Sequence, residues 1–195
     1  VDIIYNFPDQ KVEDVLEDAR IVKELGLSSA SFYSLMVHEG SKLSKDIENE
    51  KVKMKTDVER DYLLYQHFVD EMLLDNSYHI LELTKIAKNN GDNYKYIKVR
   101  NTGGDTFPIG VGAGGSVQGI GRFNMSKEMS FCSKQTEYHE RFARLSGYMQ
   151  FPVIEKAVVQ EMLSQEEYGY FHEKMKDYEE KGLVVIDENS YNLTK

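Results

Sequence analysis

Residues 1–37 read VDIIYNFPDQKVEDVLEDARIVKELGLSSASFYSLMV, and this stretch decides the fold. Val1 to Tyr5 is an apolar run rich in β-branched side chains, suited to a short buried strand, and Asn6-Phe7-Pro8-Asp9 is turn chemistry that ends it. Val12, Val15, Leu16, Ala19, Val22 and Leu25 then recur at helical spacing. Gly26 stands just past the last periodic residue, where a left-handed C′ glycine closes a helix. Ala30 to Val37 is again rich in aromatic and β-branched residues and predicts a second strand. Strand, helix, glycine turn and strand in succession make a βα unit of a parallel sheet, which places the chain in the α/β class.

Further along, His38 to Lys55 is polar and reads as a surface excursion with a helical turn. Thr56-Asp57-Val58-Glu59 has the Ser/Thr-x-x-Glu spacing of a capping box. It opens a helix to about Leu74 with Val58, Tyr62, Tyr65, Phe68, Val69, Met72 and Leu73 on its apolar stripe. Tyr78–Thr84 predicts a strand, Ile86–Asp92 a polar turn and Tyr94–Val99 another strand. The pattern changes at Ser126. Helices are expected over Tyr138–Met149, Val153–Leu163 and Glu166–Gly182, with Phe151-Pro152 as the break between the first two. Leu183–Thr194 reads as a hairpin turning at Asp187–Ser190. Helices followed by a hairpin suggest a small winged-helix-like domain. The expected domains are therefore 1–125 and 126–195.

Composition narrows the function. Apolar residues make up 41% and aromatic residues 11% of the 195, enough for a packed core. The net charge of −9 argues against a general nucleic-acid or anionic-membrane surface. The longest apolar runs fall far short of a membrane span, and no signal-peptide pattern opens the sequence, so the expected location is the cytoplasm. One cysteine, Cys132, supports neither a disulfide framework nor, alone, a metal site. The histidines at 38, 67, 79, 139 and 172 are scattered, without the His-x-x-x-His spacing of a helical metal site. Val1 already lies within strand-like sequence, so an excised piece of a longer protein is the expectation.

Three features carry possible chemistry. Eight of the fourteen glycines fall between Gly103 and Gly121, a concentration that lets backbone approach a ligand or another backbone closely. Gly110-Val111-Gly112-Ala113-Gly114-Gly115 lacks the following helix and the acidic ribose partner of a dinucleotide fingerprint. What remains is a glycine-lined wall against a flat or bulky ligand, including Gly112 and Gly114, or a tight loop where strand meets strand. Phosphate near Gly112–Gly115 is what a generic sugar-phosphate barrel would predict instead. Asp2 is a carboxylate in an apolar strand, costly to bury unless it is paired or bound to a ligand; a structural hydrogen bond is the alternative. Arg100 could grip a carboxylate in two-point geometry, or be a solvated surface cation.

The segment Asp2-Ile3-Ile4-Tyr5-Asn6-Phe7-Pro8-Asp9-Gln10 resembles the D-L-I-Y-G-L-P-x-Q segment of oxygen-independent coproporphyrinogen III oxidase-like radical S-adenosylmethionine (SAM) proteins. Ser31–Leu35 is similar to their S-L-Y-S-L strand, Pro108–Gly114 to their L-G-I-G-A-G segment, and Leu183–Thr194 to a family ending of the G-L-V…L-T type. The ordered set covers nearly the whole chain. The resemblance implies a fragment of an incomplete (βα) radical SAM barrel followed by the winged-helix-like domain. It also implies SAM and a four-iron, four-sulfur (4Fe-4S) cluster in the full-length protein, whose Cys-x-x-x-Cys-x-x-Cys loop would lie before Val1, along with an electron donor and a tetrapyrrole substrate. On this resemblance SAM contacts map to Asp2, to Met36 after the second strand and to Ser116 after the glycine turn; no catalytic residue maps to this chain.

Two departures matter. Asn6 stands where the family usually has glycine, and Gly114-Gly115-Ser116 replaces a Gly-Ala-His-Ser kind of sequence. Arg100-Asn101 with Pro108–Gly115 is more similar to the haem-utilisation branch, which methylates haem and opens its ring anaerobically. The expected functions are therefore oxidative decarboxylation of coproporphyrinogen propionates, anaerobic haem degradation, or, from another class, non-catalytic haem carriage.

Overall fold

In the computed structural model, which describes residues 1–54 and 57–194, the opening strand β1 (Asp2–Tyr5) runs parallel to β2 (Ser29–Ser34) with α1 (Val12–Glu24) between them. Glu13 and Asp14 sit in the first turn of α1, where acidic side chains complement the helix dipole. The Asp14 carboxylate accepts from the Lys11 N–H at 2.7 Å. Gly26 adopts φ +60°, and the following Leu27 N–H reaches back to the Val22 carbonyl, as a C′ glycine allows. β2 ends at Ser34, earlier than the expected Val37. The Leu35 N–H still donates to the Tyr5 carbonyl at 2.8 Å, and the chain then leaves the ladder.

The polar excursion contains one short helix, α2 (Lys42–Glu48), capped by the Ser41 hydroxyl accepting from the Ser44 N–H. Helix α3 (Val58–Leu73) is capped by Asp57, whose carboxylate accepts from the Arg60 N–H; the expected capping box on Thr56 lies outside the described residues. The stripe of α3 is rotated from the expected one: Leu64, Phe68, Val69 and Met72 are buried, whereas Val58 and Tyr62 are 80% and 58% exposed. Phe68 sets that rotation. It stacks on Phe32 with centroids 3.7 Å apart, which brings its i−4 and i+4 neighbours Leu64 and Met72 onto the same face. Tyr5 stacks on Phe32 at 4.2 Å, so three rings from β1, β2 and α3 form the centre of this core.

Two expectations are corrected. Ile86–Asp92 is not simply a turn, because Lys85–Lys88 forms β4, antiparallel to both β2 and β3 (Tyr78–Glu82), in a sheet ordered β1-β2-β4-β3. The sheet is thus mixed, parallel only at β1-β2. Tyr94–Val99 is not a strand but the start of α4 (Lys95–Asn101); its short apolar pattern fits either period.

The chain divides into two compact units, Val1–Asn93 and Tyr94–Lys195, whereas the sequence reading set its boundary at 125/126. The second unit contains an antiparallel sheet of β5 (Gly114–Val117), β6 (Ile120–Asn124) and β7 (Ser130–Lys134). After it come α5 (Glu137–Tyr148), β8 (Val153–Glu155), α6 (Lys156–Met162), α7 (Gln165–Glu180), β9 (Val184–Ile186) and β10 (Ser190–Leu193), the last sheet being ordered β8-β10-β9. The single helix expected over Val153–Leu163 is split, because Ile154, fully buried, pairs with Tyr191. Tyr148, Ile154, Val159, Met162, Met175, Val184 and Tyr191 make this unit's core. The buried Tyr191 hydroxyl is satisfied by the Tyr168 hydroxyl at 3.1 Å and His172 Nδ1 at 2.8 Å. Among the described residues no helix is long and apolar enough to cross a membrane.

Candidate functional site: an open sheet face and a glycine-rich sheet

Side chains alternate along a strand, and the core takes Ile3, Tyr5, Ala30, Phe32 and Ile86. Asp2, Ser31 and Lys85 therefore fall on the opposite face, in one register row across β1, β2 and β4. The Lys85 ammonium donates to the Ser31 hydroxyl at 3.4 Å. Asp2 is exposed and has no hydrogen bond or ion pair among the described residues, so the structural hydrogen bond offered as the alternative to a ligand role is not among its contacts. Met36, 69% exposed, follows the C-terminal end of β2. Asp2 begins β1, so these two residues lie at opposite ends of the parallel pair.

The C-terminal end of β1 is held by Asn6. Its backbone has φ +66°, a left-handed conformation natural to glycine and commonest, among other residues, for Asn and Asp. The side chain is buried and does what glycine could not. Its amide donates to Ser34 Oγ at 3.3 Å and Asp61 Oδ1 at 3.2 Å, and its carbonyl accepts from Arg60 Nε at 3.0 Å. Arg60 also donates to the Phe7 and Gln10 carbonyls. Burial, reinforced by the Asp61 charge, pushes the neighbouring Tyr5 phenol well above its ordinary value.

In the second unit the glycines divide by role. Gly110 and Gly112 have φ +95° and +79° with open space beside them, so they serve the turn itself. Gly115 serves a close approach, since a Cβ there would fall 2.2 Å from the Thr106 carbonyl, across the bridge in which the Thr106 N–H donates to the Ser116 carbonyl. Register places Gly114, Ser116, Gly121, Phe123, Phe131 and Ser133 on one face of the β5–β7 sheet. The rings of Phe123 and Phe131 remain 46% and 61% exposed there. The structure thus brings Gly114 and Ser116 onto one face and leaves Gly112 in the turn.

Sequence reasoning missed the residue that organises this segment, Asn124. Its amide donates to the Pro108 and Gly110 carbonyls at 3.1 and 3.0 Å. Its side-chain oxygen accepts from Arg122 Nε and Ser130 Oγ, both at 2.9 Å. Its backbone carbonyl accepts from the Gly112 N–H at 2.7 Å. Beside it lies an open cavity of about 210 Å³ lined by Gly110, Val111, Arg122, Asn124, Ser126, Lys127 and Ser130. The one available signal was the Arg-x-Asn spacing, which in a strand puts both side chains on one face. Arg100, expected as the carboxylate grip, is exposed in the last turn of α4 and does not line this cavity.

No family model matches the sequence. Anaerobilin synthase of Escherichia coli O157:H7 is 26% identical over 125 residues, 63% of this chain and 27% of that protein. The solved structure of coproporphyrinogen III oxidase from Escherichia coli, described as a radical SAM enzyme, superposes with a TM-score of 0.68 at 14% identity, covering 99% of this chain and 50% of that one. The chain resembles the oxygen-independent coproporphyrinogen III oxidase-like radical SAM proteins in both sequence and fold. It spans about half the length of the solved relative and about a quarter of the curated one.

Proposed function

We propose that the whole protein is a radical SAM enzyme acting on a tetrapyrrole, and that this chain supplies part of its barrel wall and a winged-helix-like C-terminal domain. The observation that carries this reading is the sequence match to anaerobilin synthase. It agrees with a fold match along nearly the whole chain to coproporphyrinogen III oxidase. Of the two reactions, oxidative decarboxylation of coproporphyrinogen propionates and anaerobic methylation and ring opening of haem, the sequence match favours the second. The arrangement of α5, α6 and α7 with the β8-β10-β9 sheet supports the winged-helix-like assignment. An electron donor as partner and a cytoplasmic location go with the same reading.

Donor chemistry decides how each implied cofactor relates to these residues. A 4Fe-4S cluster is held by several thiolates. The chain has one cysteine, and among the described residues no group of three or more His, Cys, Asp and Glu side chains could hold a metal ion. The cluster does not fit this chain's residues. The donor set of the first sheet's open face is compatible with SAM: the Asp2 carboxylate could accept from its ammonium or hydroxyl groups, and Ser31 stands in the same row. SAM, when bound, would supply a carbon radical after one-electron reduction by a group outside this chain. In the first unit Asp2 would orient it, and Met36 is proposed as a separate contact beyond the other end of the strand pair. In the second unit Gly112, Gly114 and Ser116 are proposed as contacts in their own right.

The test is anaerobic turnover by the whole protein with SAM and a reductant, offering haem and coproporphyrinogen III separately. Haem consumption is expected. Consumption of coproporphyrinogen alone would transfer the reading to the oxidase reaction, and consumption of neither would defeat the enzyme reading in favour of haem carriage. The 195-residue chain, reconstituted with iron and sulfide, is expected to show no four-iron absorption; a bound cluster would overturn that.

A further inference from the structure

Outside the open face of the first sheet, one feature of the molecule has the character of a built site. Arg122 is held on three sides by neutral groups: Nε donates to Asn124 Oδ1 at 2.9 Å, one terminal nitrogen donates to Ser130 Oγ at 3.1 Å, and the guanidinium carbon lies 5.6 Å from the centroid of the Phe107 ring. An arginine fixed this way has little side-chain freedom left to lose on binding. None of its anchors is a carboxylate, and among the described residues neither Arg122 nor Lys127 has an ion-pair partner. Both cations line the same cavity.

Charge and surface character agree. The segment Thr106–Gln135 carries Arg122, Lys127 and Lys134 against Glu128 alone, a basic island in a chain of net charge −9. Glu128 does not line the cavity, and its backbone N–H donates to Ser126 Oγ. Beside the cations, Phe107 under the guanidinium and Val111 in the cavity lining are 67% and 60% exposed. An anchored guanidinium, a second cation and an apolar rim are the recognition chemistry of a carboxylate on a hydrophobic body.

We propose that the Arg122–Lys127 cavity is a carboxylate-binding site that takes a propionate side chain of the tetrapyrrole. The tetrapyrrole part rests on the reading above; the carboxylate part rests on this geometry. Arg122 presents its remaining N–H groups to the carboxylate, Asn124 and Ser130 hold the guanidinium in place, and Lys127 supplies long-range attraction.

The experiment titrates the chain with haem and with haem dimethyl ester, in the wild type and in Arg122→Gln, Arg122→Lys and Lys127→Gln. Arg122→Gln is expected to weaken haem binding about tenfold and to leave ester binding unchanged. Arg122→Lys is expected to recover part of the loss, and Lys127→Gln to weaken haem binding by about threefold. Lys127 has no structural partner, so its variant keeps the test open if Arg122→Gln fails to fold. Haem affinity unchanged in both glutamine variants would overturn the site while leaving the tetrapyrrole reading standing. A second arm adds 3-phenylpropionate and follows the Arg122 Nε–H and Ser130 amide signals by NMR. Shifts there without binding of either tetrapyrrole would keep the carboxylate site and defeat the tetrapyrrole reading; unmoved signals would defeat the site.

Discussion

The four-stranded β1-β2-β4-β3 sheet and the three-stranded β5-β6-β7 sheet are held by different forces. The first lies against α1 and α3 around Tyr5, Phe32 and Phe68, with Phe32 and Phe68 at most 1% exposed. Fully burying one such side chain is worth about 1.5–3 kcal/mol, so apolar burial dominates there. Among the described residues of Gly114–Lys134, by contrast, Asn124 alone is buried, and Phe123 and Phe131 are both left exposed. That sheet is held by backbone ladders and by the hydrogen bonds that converge on one amide. A sheet without its own core suits a binding wall, because its apolar side chains are still available to a ligand.

The largest effect that would break this contrast is in the first sheet. Phe32→Ala removes the middle ring of the stack and is expected to cost about 3–5 kcal/mol, read as a lowered unfolding midpoint in denaturant; a loss below about 0.5 kcal/mol, the scale of a surface change, would show that the rings are not its main support. Asn124→Ala should cost less, about 1–3 kcal/mol. Its effect should be local, seen as faster hydrogen exchange at the Gly112 and Ala113 amides. Asn124→Asp is expected to fall between, since a carboxylate still accepts from Arg122 and Ser130 but cannot donate to the Pro108 and Gly110 carbonyls. Unchanged exchange in Asn124→Ala would mean that the ladder alone holds the turn.

The smallest effect sharpens the role of polar pinning elsewhere in the second unit. The Asp187 carboxyl is held at about 2, below its ordinary 3.8, chiefly by the backbone N–H of Asn189, then by the Ser190 hydroxyl, the Asn192 amide and the Ser190 N–H. A depressed carboxylate stabilises fully above its unfolded value, and that contribution disappears as pH falls through the folded one. Protection of the Asn189 and Ser190 amides should therefore decline between pH 3.8 and about 2, and Asp187→Asn should remove this dependence. An unaltered pH profile in that variant would assign the decline to other groups.

Much of the first unit was legible because its pattern is made by burial. Val15, Ala19 and Val22 mark one helix face, and Gly26 marks its end. β4 was missed because Lys85-Ile86-Ala87-Lys88 is only four residues with lysine at both ends, although it lies inside the sheet. α4 was misread because a short apolar run carries no decisive period. The glycine segment offered no hydrophobic pattern, since none of its residues joins either core cluster, and Asn124 is ordinary until its partners are known. Asp2 and Gly114 could be picked out as residue types. The anchoring of Arg122 could not, because it depends on Phe107, Ser130 and Asn124 meeting across a turn.

Cys132 adds a practical consequence. It is the one thiol in the sequence, it is exposed on β7, and it stands directly across the ladder from Arg122, where paired side chains start about 5 Å apart. A single maleimide fluorophore or spin label would thus attach at one known position beside the cavity, without prior mutagenesis, and its signal would report occupancy there in real time.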